Sequence, residues 1–170
     1  LVAKTNQAFR TSRVATRIRL VHTAPIAFAE DDKIPLGRLR KPSDGFMDGV
    51  HGLRDRYAAD LVALILERMG KSCGAAYVPP SSGKPDVGFS VIRRSCTRDG
   101  RTFAHELGHN LGATHDWYVD DSSRAFPYSK GYVSLPSRFR DLMAYDNLCE
   151  DTGTVCAQWL GYSNPATTHN

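Results

Sequence analysis

Residues 105–116 read His-Glu-Leu-Gly-His-Asn-Leu-Gly-Ala-Thr-His-Asp. His105 and His109 are four residues apart, so on a helix both imidazoles leave from one side. A neutral imidazole is a standard zinc ligand, and two on one helical face can chelate without moving the backbone. Glu106 lies next to His105 around the helix. That sets a carboxylate beside the ion without making it a ligand, where a general base can reach an attacking water. Gly112 follows His109 by three, and glycine takes the left-handed conformation that ends a helix and turns the chain. The turn lets His115 fold back as a third ligand. Three protein ligands leave a fourth position open, the arrangement of a catalytic rather than a structural zinc site. His105, Glu106 and His109 at this spacing arise by chance in well under about 1% of such chains, and Gly112 with His115 lowers that roughly another thousandfold. A helix with merely surface histidines is therefore the weaker reading.

The elements that must carry these residues can be read from periodicity. Phe103, Leu107 and Leu111 give the helix from about 101 to 111 an apolar face. Residues 1–10 read as the remainder of a helix. Residues 16–24 alternate, with Ile18, Leu20 and His22 on one side, and predict a strand near a sheet edge. Asp44 can cap a helix over roughly 46–59, where Phe46, Val50, Leu53 and Tyr57 recur at helical spacing. The continuous apolar run Leu61–Leu66 predicts a strand covered on both faces. Ala75–Val78 is a short strand stopped by Pro79–Pro80, which suits an edge. Gly88–Ile92 is a further strand, and after Gly112 no long periodic element is visible.

The chain has 170 residues, which predicts one domain, and its 41% hydrophobic and 24% charged residues are those of an ordinary globular protein. No apolar run is long enough to span a bilayer. A net charge of +4 permits acidic partners, but the basic residues are scattered, without the basic clusters and interleaved aromatics of a nucleic-acid surface. Four cysteines, none in a CxxC pair, make a zinc ribbon or thioredoxin-type site a poor fit. Two disulfides, Cys73–Cys96 and Cys149–Cys156, each closing a local loop, are the simplest reading, with two other pairings formally open. Disulfides would place the protein in an oxidising compartment.

The string HExxHxxGxxH with a downstream methionine resembles the metzincin metallopeptidases. Asp116 directly after the third histidine resembles the reprolysin (adamalysin) branch. Asp141-Leu142-Met143-Ala144-Tyr145 resembles the Met-turn, in which Met143 would lie beneath the histidines. The stretches Asp44–Leu66 and Phe89–Trp117 are similar to bacterial secreted proteases of that branch. The resemblance implies an α/β (α+β) fold: a twisted, mostly parallel sheet with an antiparallel edge strand, an active-site helix and a small irregular C-terminal lobe. It divides the single domain 1–170 into an upper lobe, 1–112, and a lower lobe, 113–170, with the family's first strand and last helix missing, so that a gap or a rearranged neighbour is expected beside strand 16–24.

By the same resemblance the chain is a secreted bacterial zinc endopeptidase using one Zn2+. His105, His109 and His115 are the ligands, Glu106 the general base, and Gly112, Asp116 and Met143 structural supports. A tyrosine at the offset of Tyr145 lies near zinc in astacins and serralysins but is absent from typical reprolysins; here it either donates to the transition-state oxyanion or simply packs. A protein or peptide substrate would lie extended along edge strand 75–78, and Arg124, Arg138 or Arg140 could receive an acidic side chain, as in a bacterial branch that cuts before aspartate. Calcium has only Asp120–Asp121 to suggest it, and two adjacent carboxylates are ordinarily a solvated turn. No nucleic-acid or membrane partner is expected, and the expected state is a monomer. A module that binds zinc without cleaving is disfavoured because Glu106 is intact.

Overall fold

In the computed structural model, the described residues are 1–30, 35–80, 85–122 and 126–166. The elements run α1 (Val2–Thr11), α2 (Pro35–Arg40), α3 (Gly49–Arg56), β1 (Val62–Leu66), β2 (Gly74–Ala76), β3 (Phe89–Arg93), α4 (Arg101–Asn110), β4 (Val133–Ser134), β5 (Phe139–Arg140), α5 (Asn147–Asp151) and β6 (Ala157–Gln158). This is a mixed α+β arrangement. One sheet has the order β1-β3-β2: β1 runs parallel to β3, and β2 lies antiparallel on its other side. The described sheet is thus half parallel and half antiparallel, with the expected antiparallel edge strand present. A second small sheet has the order β4-β5-β6.

Fully buried Phe89 and Val91 of β3 form a core with Leu39, Val50 and Leu66, whereas Ile92 packs with Phe103 and Leu107 of α4. This alternation along β3 places α2 and α3 on one face of the sheet and α4 on the other. Helix α1 packs on α4 through Ala8 and Ala104, with Leu142 in the same cluster. Two disulfides, Cys73–Cys96 and Cys149–Cys156, are formed.

Several elements differ from expectation. Residues 16–24 form no strand. Both main-chain groups of Ile18 are taken by one side chain: Asn6 Nδ2 donates to its carbonyl and Asn6 Oδ1 accepts from its N–H, each at 2.8 Å. Between this segment and β1 lies an apolar groove of about 710 Å³. No strand pairs with that side of β1 among the described residues, and Ile65 is 43% exposed. β1 is therefore an edge strand among the described residues; Val62, Leu64 and Leu66 meet the core on one face and Leu61 and Ala63 pack with Phe103 and Leu107 on the other, so both faces are covered and Ile65 is the exposed exception. The helix expected over 46–59 begins only at Gly49, because Gly45 and Met47 have φ of 84° and 53°, which a right-handed helix cannot contain. Asp44 instead accepts a bond from the Phe46 N–H within this turn. Ala58, at φ 48°, lies just beyond the helix's end. The edge strand is Gly74–Ala76 rather than 75–78, and α4 ends at Asn110, leaving Leu111 exposed. The segment after Gly112 contains β4, β5, α5 and β6, elements too short for periodicity to reveal.

Candidate metal centre

Helix α4 starts behind Gly100, whose left-handed φ of 72° turns the chain into it. Its far end is fixed by a Schellman closure: Ala113 N–H donates to Gly108 O and Gly112 N–H to His109 O, both at 2.9 Å, with Gly112 at φ 100°. The turn sends the chain back so that His115 faces the helix. His115 Nε2 lies 3.3 Å from His105 Nε2 and 3.1 Å from His109 Nε2. Among the described residues, these three histidines form the group of side chains that could hold a metal ion.

The tautomers follow from the partners. His105 Nδ1 lies 2.9 Å from Leu142 O, and His109 Nδ1 lies 2.8 Å from Ala113 O. A carbonyl only accepts, so each Nδ1 donates and each Nε2 points a lone pair inward. Tetrahedral ligands at zinc–nitrogen lengths of about 2.0–2.1 Å stand roughly 3.3 Å apart, so the observed spacing fits such an ion. Burial holds His105 and His115 down to about 4, with the neighbouring imidazoles adding to the effect, so both stay neutral and able to ligate in mild acid.

Glu106 is 5% exposed, and its Oε2 has no hydrogen-bond partner among the described residues. Burial alone pushes its carboxyl up to about 8. A divalent cation beside the imidazoles is the charge that would draw it back down.

A second layer of contacts orients these groups. Asp141 is buried, and its Oδ1 accepts from the N–H groups of Met143 and Ala144, both at 2.9 Å, closing the turn beneath the histidines. Its Oδ2 accepts from Ser163 N–H at 2.9 Å. Met143 packs under Gly108, where an added Cβ would stand 2.6 Å from its Sδ. Asp116 Oδ2 accepts from Tyr145 N–H at 2.9 Å, tying the His115 turn to the end of the Met143 turn. The Tyr145 ring lies 4.2 Å from that of His115, and the side chain is partly solvent-exposed. Asn110 Nδ2 donates to the carbonyls of Tyr77, Val87 and Phe89, pinning α4 to the sheet. Of the three arginines singled out, Arg140 is half-buried and donates through Nη1 to Ala144 O at 2.9 Å. Arg138 sits exposed on the turn between β4 and β5. Arg124 lies outside the described residues.

Asp141 and Asn110 escaped the sequence reading. Asp141 appeared there only as part of the Met143 string; the backbone bonds it caps join residues up to 22 apart. Asp141→Asn offers a direct check on this scaffold. The amide would set a donor against the backbone N–H groups, and an unsatisfied buried donor costs about 1–3 kcal/mol. The variant should unfold at a measurably lower temperature in a thermal melt of the metal-loaded protein.

A helix carrying two histidines, a returning third and a methionine turn beneath them define a metallopeptidase site. The M12B reprolysin-like metallo-peptidase family matches residues 1–116, and the chain belongs to that family. It is 32% identical over 99% of its length to a peptidyl-Asp metalloendopeptidase of Stenotrophomonas maltophilia and 31% identical over 99% to one of Xanthomonas campestris pv. campestris. A peptidyl-Asp metalloendopeptidase of Pseudomonas aeruginosa is 30% identical over 82% of the chain. The chain spans 40%, 39% and 26% of the length of these relatives. A solved chain from a structure titled "Structure of a chaperone-substrate complex" shares the fold, with a TM-score of 0.66 at 20% identity over 99% of this chain and 25% of that one.

Proposed function

We propose that this chain is the catalytic portion of a secreted zinc endopeptidase that cuts peptide bonds on the amino side of aspartate. The observation carrying this reading is the convergence of three Nε2 atoms, with neighbours 3.1–3.3 Å apart, on a helix whose buried Glu106 has an Oε2 without a hydrogen-bond partner among the described residues. His105, His109 and His115 would hold the ion. Zinc so bound supplies Lewis acidity, readying a water for attack at neutral pH and polarising a carbonyl oxygen. Glu106 Oε2 takes the proton of the attacking water and returns it to the leaving amine. The Tyr145 hydroxyl, carried on a ring beside His115, donates to the oxyanion that develops on the substrate carbonyl.

Substrate pairing is supported by the outer edge of β2, which no strand pairs with among the described residues. Arg93 N–H donates to Cys73 O, and Tyr77 N–H donates to Phe89 O, committing residues 73, 75 and 77 to β3. The main-chain groups of Gly74 and Ala76 then face away from the sheet, where an extended peptide can add as a strand. The aspartate preference is supported by the names of the relatives and by Arg140. Arg140 stands at the end of the Met143 turn, with Nη1 donating to Ala144 O at 2.9 Å and Nε 3.3 Å from Asp146 Oδ1. The two disulfides support an oxidising, extracellular setting. No helix among the described residues is long and apolar enough to cross a membrane.

Cleavage profiling on a mixed peptide library, with and without a chelator, tests the whole reading. Cuts before aspartate that stop on chelation and return with zinc are expected; no chelator-sensitive cleavage would remove it. Arg140→Gln should lose about 10–100-fold in kcat/KM on aspartate peptides, the worth of a charge-assisted bond. Peptides with a neutral residue at that position should be cut as before, and an unchanged preference would take Arg140 out of the pocket.

A further inference from the structure

Among the described residues, one feature of the edge strand bears directly on the carboxylate. Gly74 opens β2, and a Cβ built on it would stand 2.3 Å from Glu106 Oε1 and 2.7 Å from both Cδ and Cγ. Three atoms of the carboxylate arm are involved, so rotating the carboxyl alone cannot relieve the overlap. Nonbonded contacts settle at about 3.5–4.0 Å, so the arm would have to move by roughly 1 Å. Gly74 does not have the positive φ that demands glycine; what its lack of a side chain supplies is space. Glycine is a poor strand former, so the position accepts a local cost. The wall is also braced. Cys73, immediately before it, is bonded to Cys96 and accepts from Arg93 N–H at 2.8 Å. Asn110 ties the other end of the edge, at Tyr77, to α4 at 3.0 Å.

We infer that Gly74 is a positioning residue for the reaction: the space left by its absent side chain, in a strand held by the Cys73–Cys96 disulfide, sets where the Glu106 carboxylate stands relative to the three imidazoles. The inference rests on Glu106 acting as the base. A displacement of this size between a base and the atoms it serves costs on the order of 10²-fold in rate. The three atoms nearest the added Cβ all belong to Glu106 and none to a histidine.

The test is a double-mutant cycle on the full chain loaded with zinc, using Gly74→Ala, Glu106→Ala and the pair. Gly74→Ala alone should lower kcat by about 10–100-fold while leaving KM within twofold and one zinc bound. It should also lower the melting temperature. In the Glu106→Ala background the overlap is gone, so adding Gly74→Ala should change neither residual kcat nor melting temperature for the worse. Equal losses in both backgrounds would mean that Gly74 serves the strand alone and would overturn the inference, as would a Gly74→Ala enzyme of normal kcat. Should Glu106→Ala itself keep wild-type kcat, the reading of the base fails instead, an outcome separable from the others. If Gly74→Ala does not fold alone, the inference stands only if the pair with Glu106→Ala folds and binds zinc; failure of both overturns it.

Discussion

Glu106→Gln is expected to bind zinc at the wild-type stoichiometry and to lose about 10³-fold in kcat, within the span that general acid–base catalysis supplies. The amide keeps the length and volume of the side chain but cannot take a proton, so substrate affinity should stay nearly constant. Steady-state kinetics with metal analysis of the same samples checks this; kcat within tenfold of wild type would sink the assignment. The variant has a second consequence in protein stripped of metal. Burial raises the Glu106 carboxyl from an ordinary value of 4.5 to about 8. Between these values the folded state holds a proton that the unfolded state releases, so folding stability falls as pH rises from about 4.5 through 8. Glu106→Gln removes that slope. Denaturant titrations of the metal-free wild type and variant at pH 5 and pH 8 should therefore diverge, with the wild type losing more.

His115→Ala should weaken zinc binding by more than about 100-fold, since losing even an outer partner of a metal-ligating histidine costs 10–100-fold. The two helical histidines remain on one face but no longer close the ligand set. The same effect has a thermal readout. A ligand at a thousand times its Kd stabilises the folded state by about 4 kcal/mol, which for a chain of this size is a shift of roughly 10 °C. Chelation should lower the wild-type melting temperature by that order and leave His115→Ala almost unmoved. An equal shift in both proteins would remove His115 from the ligand set. Because burial holds the His105 and His115 imidazoles down to about 4, zinc should still load at pH 5.5.

The local parts of the site were legible because their geometry is local. Helical spacing puts His105 and His109 on one side, and Gly112 turns the chain through bonds to residues only three and five positions away. The strands were harder. Alternation at 16–24 has the pattern of a strand, but a strand exists only where a neighbour pairs with it, and there the side chain of Asn6 meets the backbone instead. The run 61–66 has the composition of a buried strand and does meet apolar residues on both faces, but composition gives no sign that, among the described residues, β1 has a strand on one side only or that Ile65 is exposed.

By itself, then, the sequence determined the residue types that could hold a metal, their spacing on one helix and the glycine that returns the third histidine. These follow from helical pitch and backbone sterics within a dozen residues. Tertiary structure decided the rest. It brought the Met143 turn under Gly108, joined Asp116 to Tyr145 across 29 positions and set Gly74 against a carboxylate 32 residues further along. It also set Arg140 against Ala144 at the end of the Met143 turn and left Arg138 exposed. Such contacts depend on which elements pack together, and packing is a property of the whole chain that no spacing within one segment encodes.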